Sequence, residues 1–241
     1  SSSGALVTNG APSLLRWPVR QIDGEIGAAS HTPSSPRFQV GPPEQLSASS
    51  RGGHFGASRN GKVLAFPHSS YDGAVAVFSD RSDQSIRLGP HDDVRFTAVS
   101  PDGELVATGS WGNGARVWSA KSGKLLTDLA TGDQCLVEFS PNGRWLATSS
   151  GGGQLWRVGT WERGPSLRGA GTVASGLFLA FSPDSSITAL SELTGIIRLI
   201  DTETGRDLAE LTDPHQHRVH SMSFSADGSN LITVTIDDGG A

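Results

Sequence analysis

Three observations predict an all-β chain, a β-propeller of four-stranded antiparallel blades. A Ser-x-Asn/Asp-Gly tetrapeptide recurs at near-constant spacing, short apolar or alternating runs flank its copies, and no stretch of useful length has the 3.6-residue period of a helix. The copies are Ser58-Arg59-Asn60-Gly61, Ser100-Pro101-Asp102-Gly103, Ser140-Pro141-Asn142-Gly143, the variant Ser182-Pro183-Asp184-Ser185, and Ser225-Ala226-Asp227-Gly228. Their steps are 42, 40, 42 and 43 residues. Pro presets φ at the second position, Asp or Asn folds its side chain onto the backbone, and Gly takes positive φ, which together make a tight hairpin turn.

Each element follows in order. First strands precede the turns at Phe96 to Val99, Leu136 to Phe139, Leu177 to Phe181 and Met222 to Phe224; second strands follow at Leu105 to Thr108, Trp145 to Thr148, Ile187 to Leu190 and Leu231 to Val234. A further Gly/Asn/Asp-rich turn leads to third strands ending in a large residue, Ala74 to Phe78, Ala115 to Trp118, Gln154 to Trp156 and Ile196 to Ile200. Fourth strands are clearest at Lys124 to Leu129 and Arg206 to Leu211. Four short strands in about 40 residues is one propeller blade. Phe78, Trp118, Trp156 and, at the front, Trp17 are expected as structural anchors, and Asp102, Gly103, Asn142, Gly143, Asp227 and Gly228 as structural turn residues.

Residues 49–91, 92–131, 132–171 and 172–212 read as four whole blades, and 213–241 as the first two strands of another. Ala5 to Thr8 resembles a second strand and Leu14 to Trp17 a third, so residues 1–48 are a partial blade with a loop. The stretch from Pro18 to Pro43, Ala-, Ser- and Pro-rich from Gly27 to Pro36, is expected to be a surface loop. The second strand would be present twice if the two ends shared a blade. The expectation is therefore a single propeller domain over 1–241, incomplete at both ends and cut from a ring of six or more blades, because an open arc would leave edge strands exposed.

Composition narrows the function. The net charge is −5 and there is no Lys/Arg run, which argues against nucleic acid as a partner. The lone Cys135 forms no internal disulfide and fits a reducing, cytoplasmic setting. No apolar stretch of about 18 residues suits a membrane span. The N-terminus lacks the basic and apolar regions of a signal peptide, and the only Met is Met222, so the chain reads as an internal piece of a longer one.

Ser100 through Trp118 and Ser140 through Trp156 resemble the WD-repeat propellers, and the resemblance covers about residues 50 to 241. The Asp that follows the family's Trp is replaced by Ser119 and Arg157, and Ile200 stands where Trp would precede Asp201. The family's Gly-His pair is loosened to Gly89-Pro90-His91 and Asp213-Pro214-His215. Its hydrogen-bonded His–Ser–Asp–Trp set is thus expected to be incomplete in every blade. The resemblance implies a loop face carrying Tyr71, His91, Asp93, Trp111, His217, Arg218 and Asp237, the candidate partner-binding residues. Trp111 stands where the family has a small polar turn residue; it either anchors a partner or folds over its own turn. The uniform Pro-Asp-Gly blades also resemble bacterial WD-repeat arrays fused to signalling domains such as serine/threonine kinases. No glycine-rich nucleotide loop or His-Arg-Asp segment occurs in these residues.

Catalytic candidates are weak. His215, His217 and His220 with Asp213 invite a metal reading, but His215 fits the family's loop position and His220 starts a strand, so no metal is expected. Gly151-Gly152-Gly153 could cradle phosphate, yet it lies between two strands with no helix or Lys, and reads as a hairpin turn. Gly109-Ser110-Trp111-Gly112 lacks the spacing of a nucleophile elbow, and Cys135 reads as a small buried side chain. The expectation is a non-catalytic, cofactor-free scaffold that binds a protein or peptide, a regulatory or sensor segment of a larger bacterial signalling protein. The alternative is an enzyme or small-ligand binder using the central channel, where Glu138 is the one charged candidate among mainly apolar or small inner-strand residues.

Overall fold

The computed structural model describes residues 3–10, 13–22, 37–47, 54–68, 75–79, 82–129, 131–132, 134–150, 152–167, 178–192, 195–212 and 217–236. Among the described residues there is no helix, and the elements are strands joined by turns. The chain divides into two compact units, Ser1–Gly53 and His54–Ala241.

In the first unit β1 (Ser3–Gly10) pairs with β2 (Ser13–Ile22), which also pairs with β3 (Arg37–Val40) and β4 (Glu44–Ser47). This corrects part of the expected surface loop. Pro18 to Ile22 continues β2, and Val19 to Ile22 faces Val40 to Arg37 in register. Pro18 does not stop the strand because a proline is tolerated where no ladder bond from its nitrogen is needed. Residues 23–36, including the Ala/Ser/Pro-rich middle, lie outside the described residues.

The second unit holds four antiparallel four-stranded sheets and a hairpin. The first sheet is β5 (Gly56–Ala57), β6 (Val63–Pro67), β7 (Val75–Ser79) and β8 (Ser82–Leu88). The second is β9 (Val94–Val99), β10 (Leu105–Ser110), β11 (Ala115–Ser119) and β12 (Leu125–Leu129). The third is β13 (Leu136–Phe139), β14 (Trp145–Ser149), β15 (Gly153–Arg157) and β16 (Arg163–Leu167). The fourth is β17 (Leu179–Phe181), β18 (Ile187–Ser191), β19 (Ile196–Asp201) and β20 (Asp207–Thr212), followed by the hairpin β21 (Arg218–Phe224) and β22 (Leu231–Ile236). Sequential pairing within each sheet is the up-and-down topology of propeller blades.

The tetrapeptide explains the regularity. Ser100 Oγ donates to Asp102 Oδ1 (2.5 Å) and accepts from the Leu105 N–H (2.9 Å), while Asp102 Oδ1 accepts from the Glu104 N–H (3.0 Å). The same three bonds recur around Ser58, Ser140, Ser182 and Ser225. Gly103 sits at φ 81°, as its position demands, and in the variant turn Ser185 adopts φ 65° in its place. At the Asp227 copy the Ser225 hydroxyl, then Ser229, hold the carboxyl at about 2, well below its ordinary value.

Sheets pack face to face through apolar residues drawn from neighbours. Ala98, Val117 and Leu129 meet Phe139, Leu146 and Trp156; Trp145, Leu155 and Leu167 meet Phe181, Leu190 and Ile200. Trp118 and Trp156 are both buried. Gly109 is needed where β10 crosses the next sheet, because a Cβ there would run into the Cys135 carbonyl oxygen. Asp102→Ala removes the acceptor for two bonds of its turn and is expected to destabilise by about 1–2 kcal/mol. Asp102→Asn should be close to neutral, since Asn142 fills the same place. Urea unfolding of the two variants checks this, and equal losses would contradict it.

Candidate functional site

The loops that join one sheet to the next are positioned by a short polar relay. Trp118 Nε1 donates to Thr108 Oγ1 (2.9 Å), which lies 2.7 Å from His91 Nδ1, and His91 Nε2 lies 3.2 Å from the Asn113 carbonyl. The carbonyl can only accept, so Nε2 carries the proton and Nδ1 accepts from Thr108. His91 is only 1% exposed. This corrects its expected place on the partner-binding face: its ring fastens the loop before β9 to the β10–β11 turn. The His–Ser–Asp–Trp set is incomplete in this sheet: three members stand here, with Thr108 for Ser, and the His91 ring nitrogens meet Thr108 and the Asn113 carbonyl in place of an Asp.

The same register recurs elsewhere. Trp156 Nε1 donates to Thr148 Oγ1 (2.9 Å) and Trp17 Nε1 to Thr8 Oγ1 (3.0 Å). Each Trp faces the residue two before that Thr on the paired strand, Val106, Leu146 and Leu6 respectively. A Thr at this offset from each Trp partner was a legible signal, and the sequence reading passed over it. It also passed over Trp145, which is buried with its indole near Glu203 (3.3 Å) and Arg157 stacked 4.7 Å from its ring.

Trp111 follows β10 and is 49% exposed. Its backbone N–H donates to the Asp93 carbonyl (3.1 Å), and it bridges to Gln134. The Arg95 guanidinium lies over its ring at 4.6 Å, and Arg95 Nε donates to Asp93 Oδ1 (3.0 Å). Asp93 adopts φ 54°, in the left-handed region that non-glycine residues seldom enter. One face of the indole is thus covered by a held cation while the rest meets solvent. His217 and Arg218 stand where β21 begins, on a different sheet from Trp111. Tyr71, Asp237 and His215 lie outside the described residues, and Phe78 is described only in its backbone within β7.

The inner strands converge. His54 bridges to Phe96 in parallel and their rings are 5.3 Å apart; the His54 ring is also 6.0 Å from Phe178, which is 5.5 Å from His220. These residues, with Leu136, occupy one repeat position at steps of 42, 40, 42 and 42 residues. Burial, reinforced by His220, lowers the His54 pKa. Glu138 on β13 is partly buried. Burial pushes that carboxyl up to about 8, opposed by the Phe181 N–H. Cys135 is buried and its thiol pushed up to about 12, an unreactive state. Among the described residues no three His, Cys, Asp or Glu gather to hold a metal, and no helix is long and apolar enough to cross a membrane.

Comparison with known proteins fits this geometry. Residues 82–119 and 125–156 match the family model described as WD domain, G-beta repeat. Those two segments read as WD repeats. The chain is 28% identical over 191 residues to the WD repeat-containing protein SL1-17 of Schistosoma mansoni, covering 76% of this chain and 62% of that one. It is 26% identical over 157 residues to the human angio-associated migratory cell protein, covering 62% of this chain and 35% of the other. Meiotic recombination protein rec14 of Schizosaccharomyces pombe is 28% identical over 159 residues, 63% of this chain and 49% of its own. The chain therefore spans less than two thirds of each of these relatives. Thr108, Trp111 and Trp118 lie in the first matched segment, and Thr148 and Trp156 in the second.

Two pH effects follow. Burial first, then Arg116, lowers His91 from 6.5 to about 4, so the unfolded chain takes up a proton that the native ring refuses. Stability from this residue is lost as pH falls from 6.5 toward 4, and His91→Gln should flatten that slope. Glu138 has the opposite sign. The native carboxyl keeps a proton that the unfolded chain releases between 4.5 and about 8, so stability falls as pH rises through that window. Glu138→Gln should abolish the fall. Thermal midpoints of both variants across pH check each, and slopes unchanged from the parent would contradict them.

Proposed function

We propose that this chain is a non-catalytic WD-repeat interaction module whose loop face docks a protein or peptide. The observation that carries the reading is Trp111, half exposed and stacked under Arg95, which Asp93 in turn holds. Large aromatics and Arg, held in place before binding, are the residue types that anchor interfaces, because little side-chain entropy remains to be lost. The channel alternative has less support. The rings of His54, Phe96 and Phe178 crowd the inner strands, and among the described residues no three His, Cys, Asp or Glu gather to hold a metal.

The narrower reading, a cytoplasmic regulatory or sensor segment of a larger bacterial signalling protein, rests on the near-uniform Pro-Asp-Gly blades and, for the compartment, on the lone Cys135. The three relatives named above come from a fluke, human and a yeast, and lend it no support.

Trp111→Ala is expected to weaken partner capture at least about tenfold, the loss of one anchor, while leaving the thermal midpoint nearly unchanged. Affinity capture from the source cell lysate, quantified by mass spectrometry for parent and variant, measures the first effect. Scanning calorimetry measures the second. A protein set retained equally by the variant, or a midpoint lowered by many degrees, would overturn the anchor role.

A further inference from the structure

The third sheet has a pocket that the second sheet fills. The pocket, of about 220 Å³, is lined by Thr131, Thr148, Ser150, Gln154, Trp156, Arg163 and Ser166, with Gly132, Gly152 and Gly153 from its loops. Strand register aligns the two sheets residue by residue. Trp156 pairs with Arg163 as Trp118 pairs with Leu125, and Gln154 pairs with Ser166 as Arg116 pairs with Asp128. Thr131 follows His91 by one 40-residue step, and Thr148 follows Thr108 by the same step.

In the second sheet, then, this place holds the His91 imidazole on Thr108 and the Arg116–Asp128 ion pair (2.8 Å). The third sheet has exchanged the imidazole for Thr131 and the carboxylate for Ser166, and has gained the Arg163 guanidinium where Leu125 stood. Arg163 lies 5.4 Å over the Trp156 ring, which orients it along the pocket wall. Gln154 takes the place of Arg116 as Arg163 takes that of Leu125, so each sheet keeps one arginine here, and the third loses the carboxylate and carries hydroxyls beside its cation.

We propose that this pocket binds a phosphoryl group. Arg supplies a charge-assisted fork, and the Ser150 and Ser166 hydroxyls supply donors to the remaining oxygens. The volume exceeds that of the missing ring, so a tetrahedral anion fits with room for the atom that bears it. Gly152 at φ 137° and Gly153 at the start of β15 keep one wall free of side-chain bulk. The pocket borders the segment that carries Gln134, the bridge partner of Trp111, but its chemistry does not depend on the docking reading.

The test uses the native chain and the indole N–H resonance of Trp156, whose group donates to Thr148 beside the pocket. Titration with inorganic phosphate at fixed ionic strength is expected to shift that resonance saturably in the millimolar range, leaving Trp118 unmoved. O-phospho-L-serine is run alongside, and tighter binding of it assigns the phosphoryl group to a peptide side chain; equal binding assigns it to a free small molecule. Ser166→Asp, which restores the neighbouring sheet's carboxylate, should weaken both at least about tenfold. Arg163→Gln should do the same, with the thermal midpoints of both variants recorded to show that they fold. No saturable shift from either probe, the same shift from chloride, or binding unchanged in folded Ser166→Asp would overturn the proposal.

Discussion

The serine hydroxyl of the repeated turn is the constraint on which this structure depends. It donates to the Asp or Asn two residues on and accepts from the backbone five residues on, so one small side chain fixes both the turn and the start of the next strand. Turns of neighbouring sheets also touch: the Arg59 N–H donates to the Pro101 carbonyl and the Asn142 N–H to Ser185 Oγ. The device that closes each hairpin therefore also sets how adjacent sheets meet. Trp–Thr bonds in the same register add a second repeated fastening deeper in the sheet.

Variation on that frame is where function is read. The second and third sheets share strand order, turn and Trp–Thr bond, but differ in what stands above the Thr. His91 fills that space in one and makes a buried, neutral strut; Thr131 leaves it vacant in the other. The β10–β11 turn is two residues longer than its counterpart before β15, and Trp111 stands in the extra length. A regular scaffold with irregular loops is the usual way a rigid fold carries specificity.

Much of the fold was legible because its causes are local. Pro, Asp and Gly specify turn conformation within four residues, and alternation specifies strands within five or six. The ring belt of His54, Phe96, Phe178 and His220 was equally legible, since it occupies one repeat position, but it is seen only when residues are aligned by period. The site was less legible because its contacts are distant in sequence. Arg95 reaches Trp111 across a strand, and His91 is buried by the turn that carries Asn113, so a residue of an exposed type in a loop became a strut. The β2 extension through Pro18 was hidden by its composition, since its partner strand lies on the far side of an Ala/Ser/Pro-rich segment.

The central claim is that partners meet the face bearing Trp111. A photo-crosslinking residue placed at Trp111, compared with one at Ser186 in the turn between β17 and β18, tests it most directly. The account predicts crosslinks to protein from position 111 and none above background from 186. Equal yields at the two positions, or crosslinks from 186 alone, would contradict it.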